Sequence, residues 1–208
     1  LKTIIAEMIT AAPEWAYRFY AHAKQETRDG KLLESTMGGS CVTGGFPGLC
    51  LDHEDYQAAA ARFLRELVTR YRDHPGMGGY DVWNECVQWD QVCYCAATAE
   101  RFRQWLREKY GDLKALGSAW QRHSYAEWED VLPPRQVGPY PDCLDWQQFR
   151  IDNAHRLLRW RVELIRELDP VHSITAHGIA TSLSRLPSMV TDDWRAAAEV
   201  DSYGLTWG

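Results

Sequence analysis

The chain has 208 residues, of which 45% are hydrophobic, and its formal net charge is -6. Acidic and basic residues are mixed along the chain without a basic block, which argues against nucleic acid as the main partner. No apolar run approaches the roughly 20 residues of a membrane-spanning helix, so the sequence predicts no membrane partner either. The length suits one sizeable core or part of a larger domain.

The N-terminus resembles the interior of a protein. The chain begins at Leu1 without a methionine and shows none of the three parts of a secretory signal peptide. A strand-like segment rich in β-branched residues follows at once, over residues 2–9. We therefore expect a fragment of a longer protein, in which residues 1–208 form a single partial domain.

The first half of the chain predicts a strand, a helix, a long loop and a second helix. Pro13 suits the first turn of a helix that runs to about residue 22. Residues 27–51 are rich in Gly, Ser, Thr and Cys, a composition typical of a long loop. Asp52 is placed as the N-cap of an amphipathic helix that ends before Pro75.

A short apolar and aromatic run follows, from Gly79 to Glu85. Buried strands of a parallel barrel carry polar catalytic side chains at their carboxyl ends. An amide and a carboxylate, Asn84 and Glu85, stand together at the end of this run. Glu85 is therefore the leading candidate for a catalytic acid, although such pairs also end ordinary strands and cap ordinary helices.

The second half predicts further helices and two more strands. Thr98 is placed as the N-cap of a helix that ends at Gly111, and Asp112 opens a short helix. Ser124 and Glu127 match a capping box for another helix. The pattern is completed by a helix over about 143–168, a strand over 171–177, a helix over 194–199 and a strand over 200–207.

Strands and helices alternate four times, and this alternation predicts an α/β fold of parallel β/α units joined by crossovers. Four such units make half of an eight-stranded barrel or a small open sheet. A half barrel has exposed sheet edges, so we expect it to pair with another copy or to belong to a longer chain.

Several motifs, taken in order, resemble glycoside hydrolase family 42, the bacterial β-galactosidases with a (β/α)8 catalytic barrel of clan A. The matching segments are Leu1-Lys2, Thr10-Ala-Ala-Pro-Glu-Trp15, Cys50-Leu-Asp-His-Glu-Asp-Tyr56, Asn84-Glu85, Cys93-Tyr94-Cys95, Arg101 to Gly111, Leu116 to Trp120, Asp145-Trp146 to Asn153, Thr175-Ala-His177 and Asp201-Ser-Tyr203. The resemblance covers nearly the whole chain. It implies a partial TIM barrel with strands three to six, so that strands one, two, seven and eight lie outside residues 1–208.

The resemblance implies a retaining glycosidase that hydrolyses terminal β-galactosides. Such enzymes use two carboxyl groups roughly 5–5.5 Å apart, one as general acid/base and one as nucleophile. By resemblance Glu85 is the acid/base, Asn84 hydrogen-bonds the sugar 2-hydroxyl, and the nucleophile lies on the seventh strand, outside this chain. We therefore expect the chain alone to be inactive. His177, Asp201 and Trp207 are candidate sugar-binding residues near strand ends, with ordinary core or loop positions as the alternative.

The resemblance also implies a structural zinc, which family members hold with four cysteines. Cys50, Cys93 and Cys95 match three of these positions. Thr98 occupies the fourth, and a neutral threonine is a poor zinc ligand.

Three residues could complete the metal site, namely Cys86, His53 and Asp52, and nothing in the sequence orients them. Two alternatives stay open: reduced thiols without a metal, and a disulfide if the protein is exported. The glycosidase chemistry itself requires no cofactor.

Two departures from the family bear on the substrate. Trp83 stands where the family usually has an aspartate, and the segment between Trp120 and Tyr125 is shorter than usual. The alternatives are therefore another clan A glycosidase and a non-catalytic carbohydrate-binding relative. We expect an oligosaccharide or galactoside substrate, self-association (a trimer in the family) and a cytoplasmic location in a bacterium.

Overall fold

A computed structural model gives the structure of the chain and describes residues 1–6, 9, 11–35, 48–85, 92–138, 140–179 and 192–206. In chain order its main elements are β1 (Thr3–Ala6), α1 (Glu14–Phe19), α2 (Glu54–Tyr71), β2 (Met77–Asp81), α3 (Ala96–Tyr110), α4 (Leu113–Trp120), α5 (Tyr140–Leu168), β3 (Ser173–Ile179), α6 (Asp193–Glu199) and β4 (Ser202–Thr206). Two short 3-10 turns, Ala21–Ala23 and Trp128–Asp130, lie between them.

The four strands form one parallel sheet in the order β1-β2-β3-β4. Asp81 of β2 pairs with Thr175 of β3, and His177 of β3 pairs with Gly204 of β4. Helices connect each strand to the next, so the strands run in the same direction and their carboxyl ends share one edge of the sheet. The predicted α/β class is confirmed, and this edge is where polar side chains from different strands can meet.

β2 and β3 pack closely at Gly79. This residue has φ +152°, and a Cβ atom on it would lie 2.5 Å from the carbonyl oxygen of Ser173. No side chain fits in that space, so the glycine at the start of the apolar run allows the two strands to pair.

The main hydrophobic core lies between the sheet and the two helices α2 and α5. Leu64 and Val68 of α2 are fully buried, as are Ile174 of β3 and, almost completely, Leu158 and Ile165 of α5. Burial of each such side chain stabilises the fold by about 1.5–3 kcal/mol. The helical spacing of these residues in the sequence is what directs one face of each helix onto the sheet.

A second apolar cluster joins α3, α4 and the first half of α5. Its buried members are Tyr94, Phe102, Leu106, Leu116, Trp120, Val131, Trp146 and Phe149. At its margin the buried carboxylate of Asp145 accepts hydrogen bonds from Trp120 Nε1 at 2.8 Å, Tyr110 Oη at 2.7 Å and Lys109 Nζ at 2.6 Å. The carboxylate of Asp145 thereby links α5 to both α3 and α4.

Two predicted helix caps are wrong. The N-cap of α2 is His53 instead of Asp52, and the N-cap of α3 is Cys95 instead of Thr98. The physical reason is that Thr98 Oγ1 donates a hydrogen bond to Asp52 Oδ2 at 2.7 Å. The two side chains bond to each other across the fold, so neither one accepts from the N–H groups of its own helix.

Two other boundaries differ from the sequence prediction. The helix expected after Ser124 is a single 3-10 turn, whose capping box is formed by Glu127 and Asp130. The long helix α5 begins at Tyr140, earlier than predicted, because Pro141 is tolerated in a first turn. Within the described part of the chain, no helix combines the length and apolarity needed to cross a membrane.

Candidate active site and cysteine cluster

The first group of predicted site residues directly follows β2. The backbone stays bonded to β3 beyond the end of the strand: Val82 N donates to Thr175 O at 2.8 Å, and His177 N donates to Trp83 O at 3.4 Å. Asn84-Glu85 comes immediately after this last contact, at the carboxyl edge of the sheet. The structure therefore brings Asn84, Glu85 and His177 to the same edge, as the sequence predicts.

Trp83 anchors this segment. Its side chain is buried, and the guanidinium carbon of Arg161 lies 4.4 Å from its ring centroid. A cation above an indole ring contributes about 0.5–2 kcal/mol, and more when both groups are desolvated. Asn84 is exposed and Glu85 half-buried, so the segment hides its tryptophan and presents its amide and carboxylate.

Glu85 has an unusual backbone conformation, with φ at 53°. Residues with a Cβ atom rarely occupy this left-handed region, which costs about 1–2 kcal/mol for a residue other than glycine. Strain of this kind persists where the surrounding structure holds it, and it is common at active sites. The turn at Glu85 is thus an independent indication that the position of this carboxylate matters.

His177 has a partner that sequence reasoning missed. Its Nδ1 lies 3.2 Å from Oδ2 of Asp81, and the side chains are 25% and 17% exposed. Asp81 Oδ1 is buried without a hydrogen-bond partner among the described residues. A charged residue inside an otherwise apolar strand was the available signal for Asp81, because such a residue needs a partner or a function.

The structure does not bring Asp201 to this edge. Asp201 precedes β4, accepts a hydrogen bond from Ile174 N at 2.8 Å and pairs with Arg166. Parallel strands start at one edge of the sheet and end at the other, so this carboxylate lies away from the carboxyl ends. We therefore remove Asp201 from the candidate sugar-binding residues. Trp207, also predicted to bind sugar, lies outside the described residues.

The second group of predicted residues forms a cluster of thiols. The sulfur atoms of Cys50, Cys93 and Cys95 all lie within 4.8 Å of one another, and those of Cys50 and Cys95 are 3.6 Å apart. Sulfurs around a tetrahedral zinc lie about 3.8 Å apart, given Zn–S bonds of about 2.3 Å. The described cysteines, which also include Cys143, are free thiols. The arrangement fits three of the four ligands of a zinc site.

Thr98 stands beside this cluster but is not suited to complete it. Its Oγ1 lies 3.3 Å from Cys50 Sγ and 3.4 Å from Cys95 Sγ. The hydroxyl proton is donated to Asp52, as described above, and a neutral hydroxyl is a poor ligand for zinc.

Asp52 is likewise engaged. Its buried carboxylate accepts from Asn153 Nδ2, at 3.1 Å from each oxygen, and from Arg156 at 2.7 Å, in addition to Thr98. These bonds tie the start of α2 to α3 and α5. The sequence places Asn153 in a matching family segment, but only the structure identifies it as a partner of Asp52.

The three neighbouring thiols shift one another's pKa in opposite directions. Hydrogen bonds with Cys50 and Cys93 hold the pKa of Cys95 far below its usual range. Contacts with Cys93 and Cys95 raise the pKa of Cys50, and burial raises the pKa of Cys93 to about 12. The backbone N–H of Glu26 donates to Cys93 Sγ at 3.4 Å. A zinc ion binds thiolates, so its binding here would release protons from the cluster.

Comparison with known proteins bears on both sites. The family model of glycoside hydrolase family 42, described as beta-galactosidase, matches residues 1–206. Beta-galactosidase Bga of Halorubrum lacusprofundi is 27% identical over 186 residues, which are 84% of this chain and 25% of that protein. Beta-galactosidase BglY of Alicyclobacillus acidocaldarius is 27% identical over 188 residues, 87% of this chain and 26% of that protein.

Solved structures show the same relationship. A GH42 beta-galactosidase from G. stearothermophilus superposes with a TM-score of 0.82 at 26% identity, covering 99% of this chain and 30% of that one. These neighbours are TIM barrels, so the four-stranded sheet is part of a barrel and the small open sheet is excluded. The chain spans about a quarter of the length of the curated relatives it matches.

Proposed function

The chain belongs to glycoside hydrolase family 42, and from this premise we propose that it contributes the acid/base half of a retaining glycosidase that hydrolyses terminal β-galactosides. The observation that supports this most directly is the placement of Asn84-Glu85 at the carboxyl edge of the sheet, immediately after the last backbone contact with β3. Barrel enzymes build their active sites at this edge.

Glu85 acts in both steps of the proposed reaction. Its carboxylic acid protonates the glycosidic oxygen as the leaving group departs, and its carboxylate then takes a proton from the water that releases the sugar. General acid/base catalysis of this kind typically contributes a factor of about 10²–10⁴ in rate.

Asn84 and His177 position the sugar in this proposal. The exposed amide of Asn84 hydrogen-bonds the 2-hydroxyl, a contact that tightens in the transition state. His177 is held through Nδ1 by Asp81, which leaves Nε2 to bond a sugar hydroxyl. Both residues therefore bind substrate next to the acid/base.

The nucleophile belongs to the seventh strand of the family barrel, so we place it outside residues 1–208 and expect the chain alone to be inactive. A structural zinc at the cysteine cluster would join the starts of α2 and α3 and has no part in the chemistry. Association of several copies, as in a trimer, stays a prediction.

The test uses the protein that carries this chain, assayed on an aryl β-galactoside. Glu85→Gln should lower kcat by about 10²–10⁴, and azide should partly restore turnover on a substrate with a good leaving group, because azide attacks the glycosyl-enzyme without a general base. Glu163→Gln is the matched control, since Glu163 is an exposed residue of α5. An unchanged rate in Glu85→Gln would refute the assignment.

A further inference from the structure

A second group of metal-binding side chains lies at the start of α2, partly exposed to solvent, and it contains no thiol. One ligand atom each of His22, His53 and Asp55 lies within 4.8 Å of the ligand atoms of the other two. We propose that these three residues form a site for one divalent transition-metal ion, with Zn²⁺ as the ion that fits best. The proposal is independent of the glycosidase reaction and of the cysteine cluster, because its test compares metal binding in variants of these residues alone.

The two imidazoles are spaced for one shared ion. The ring centroids of His22 and His53 are 5.4 Å apart, with an angle of 76° between the ring planes. The ring centroid of a zinc-bound histidine lies about 3.2 Å from the ion, so a tetrahedral site separates two such centroids by about 5.3 Å. The two rings can therefore bind one ion without a change in their spacing.

Asp55 supplies the third ligand through Oδ2, which lies 2.7 Å from His22 Nε2. Its other oxygen, Oδ1, accepts a hydrogen bond from the backbone N–H of Tyr56 at 2.8 Å. Carboxylates that bind metals are commonly held by a second hydrogen bond of this kind. Ligand atoms around a tetrahedral zinc lie about 3.3 Å apart, so the ion replaces the proton between His22 and Asp55 and widens their contact by about 0.6 Å.

His53 has a nitrogen that is not committed to a hydrogen bond. Its Nε2 is buried and makes no hydrogen bond of normal geometry within the described residues. A neutral imidazole carries its proton on one nitrogen and a lone pair on the other. Because no bond at Nε2 fixes the tautomer, the nitrogen nearer to His22 and Asp55 can offer its lone pair to the ion.

The backbone holds the three ligands in place without the ion. His22 belongs to the 3-10 turn Ala21–Ala23, and His53 is the N-cap of α2. Cys50 N donates to the carbonyl of Ala23 at 2.7 Å, which fixes that turn against the segment leading into α2. The site is therefore preorganised, and the ion would join the turn to the helix.

Charge and ligand type select the ion. The start of an α-helix carries partial positive charge, which disfavours a cation. The first turn of α2 carries Glu54 and Asp55, whose carboxylates offset that charge. Two imidazoles and a carboxylate suit zinc and its neighbours among the transition metals, whereas Mg²⁺ and Ca²⁺ prefer oxygen ligands. The side chains of His22 and Asp55 are 55% and 54% exposed, so water can complete the coordination.

Two other arrangements of these residues are weaker. His53 also has Cys95 as a neighbour, but the three sulfur atoms group together without a nitrogen of His53 among them. A simple ion pair of His22 with Asp55 gives the imidazole of His53 no role. The metal site uses all three side chains, and the experiment separates it from both alternatives.

The experiment measures Zn²⁺ binding by equilibrium dialysis in the purified protein that carries this chain, after treatment with a chelator. His22→Gln, His53→Ala and Asp55→Asn should each bind one zinc fewer per chain than the unchanged protein, or bind that ion at least about tenfold more weakly, since even residues outside a ligand set typically cost 10–100-fold. Glu54→Gln and His123→Ala are matched controls, an acid of the same helical turn and an exposed histidine elsewhere, and should bind zinc like the unchanged protein. Excess Mg²⁺ should not displace the zinc.

His22→Gln guards against a folding defect, because its amide can still donate to Asp55. With chelator present it should unfold at the same urea concentration as the unchanged protein. Co²⁺ then identifies the ligands: the absorption that the unchanged protein has and His22→Gln lacks should contain no thiolate-to-cobalt bands.

The proposal is overturned if His22→Gln and Asp55→Asn bind zinc as the unchanged protein does, whether or not His53→Ala loses it. Loss in His53→Ala alone would assign that histidine to the thiols. The proposal also fails if Glu54→Gln or His123→Ala loses as much affinity as His22→Gln, or if the absorption lost in His22→Gln contains thiolate bands.

Discussion

Asp81 and His177 lie on neighbouring strands with Asp81 Oδ2 3.2 Å from His177 Nδ1, and Asp81 is the last residue of the strand that leads to Glu85. The second oxygen of Asp81 has no partner among the described residues. Among the described residues, the contact with His177 is what compensates the buried carboxylate of Asp81. The contribution of each residue to stability should therefore depend strongly on the other.

We expect this interdependence to appear in a double-mutant cycle. Asp81→Ala and His177→Ala should each destabilise the protein by about 1–3 kcal/mol, and the double variant should lose less than the sum. Urea unfolding of the two single variants and the double variant measures the loss in the free energy of unfolding of each. The control pair is Arg65 and Glu167, 3.1 Å apart but about half exposed, whose coupling should stay below about 1 kcal/mol. Additive losses for Asp81 and His177 would contradict the expectation.

The backbone conformation of Glu85 leads to a second prediction. Glycine accepts φ near 53° without strain, whereas alanine does not, so Glu85→Gly should be more stable than Glu85→Ala by about 1 kcal/mol. Both variants should be catalytically impaired, because both remove the carboxylate.

Gln121 provides the matched control for that comparison. It ends α4 in the same left-handed region, with φ 55°. The free energy of unfolding of Gln121→Gly should likewise exceed that of Gln121→Ala by about 1 kcal/mol in urea. Equal stability of the glycine and alanine variants at Glu85, with a difference at Gln121, would show that the turn at Glu85 is not strained.

The buried hydrogen bonds of Asp52 should contribute much more to stability than the contacts of the nearby Asp55. Asp52→Ala leaves Arg156, Asn153 and Thr98 without their acceptor and should cost about 3 kcal/mol. Asp55→Ala in the same segment removes an exposed pair with His22 and a local hydrogen bond from the backbone N–H of Tyr56, and should cost about 1 kcal/mol. Thermal unfolding of the two variants checks this difference, and similar melting temperatures would contradict it.

Asp169 should make stability depend on acid pH. Burial alone raises its pKa, but hydrogen bonds from Tyr80 and from His172 outweigh burial and lower the pKa from 3.8 to about 2. A carboxyl whose pKa is lower in the folded state stabilises the protein fully above the unfolded value. That contribution should be lost as the pH falls from about 3.8 to about 2.

The measurement for Asp169 is the urea midpoint as a function of pH, for the unchanged protein and for Asp169→Asn. The variant should be less stable than the unchanged protein at neutral pH. This difference in stability should become smaller as the pH approaches 2. A difference that stays constant across this range would contradict the assigned pKa.

Local patterns in the sequence determined much of this protein. Helical spacing of apolar residues located α2 and α5, and the apolar run from Gly79 located the strand that ends at Asn84-Glu85. The order of motifs indicated the family and half of a barrel. These features were readable because each depends on residues close together in the chain.

Only the tertiary structure decided the partners of the polar side chains. Asp52 and Thr98 match helix caps in sequence, yet they bond to each other because folding brings the starts of α2 and α3 together. Asp201 follows the pattern of a site residue, but it lies at the opposite edge of the sheet from Glu85. Such contacts join distant segments, and sequence spacing carries no information about which of several compatible polar groups will meet once the apolar faces have packed.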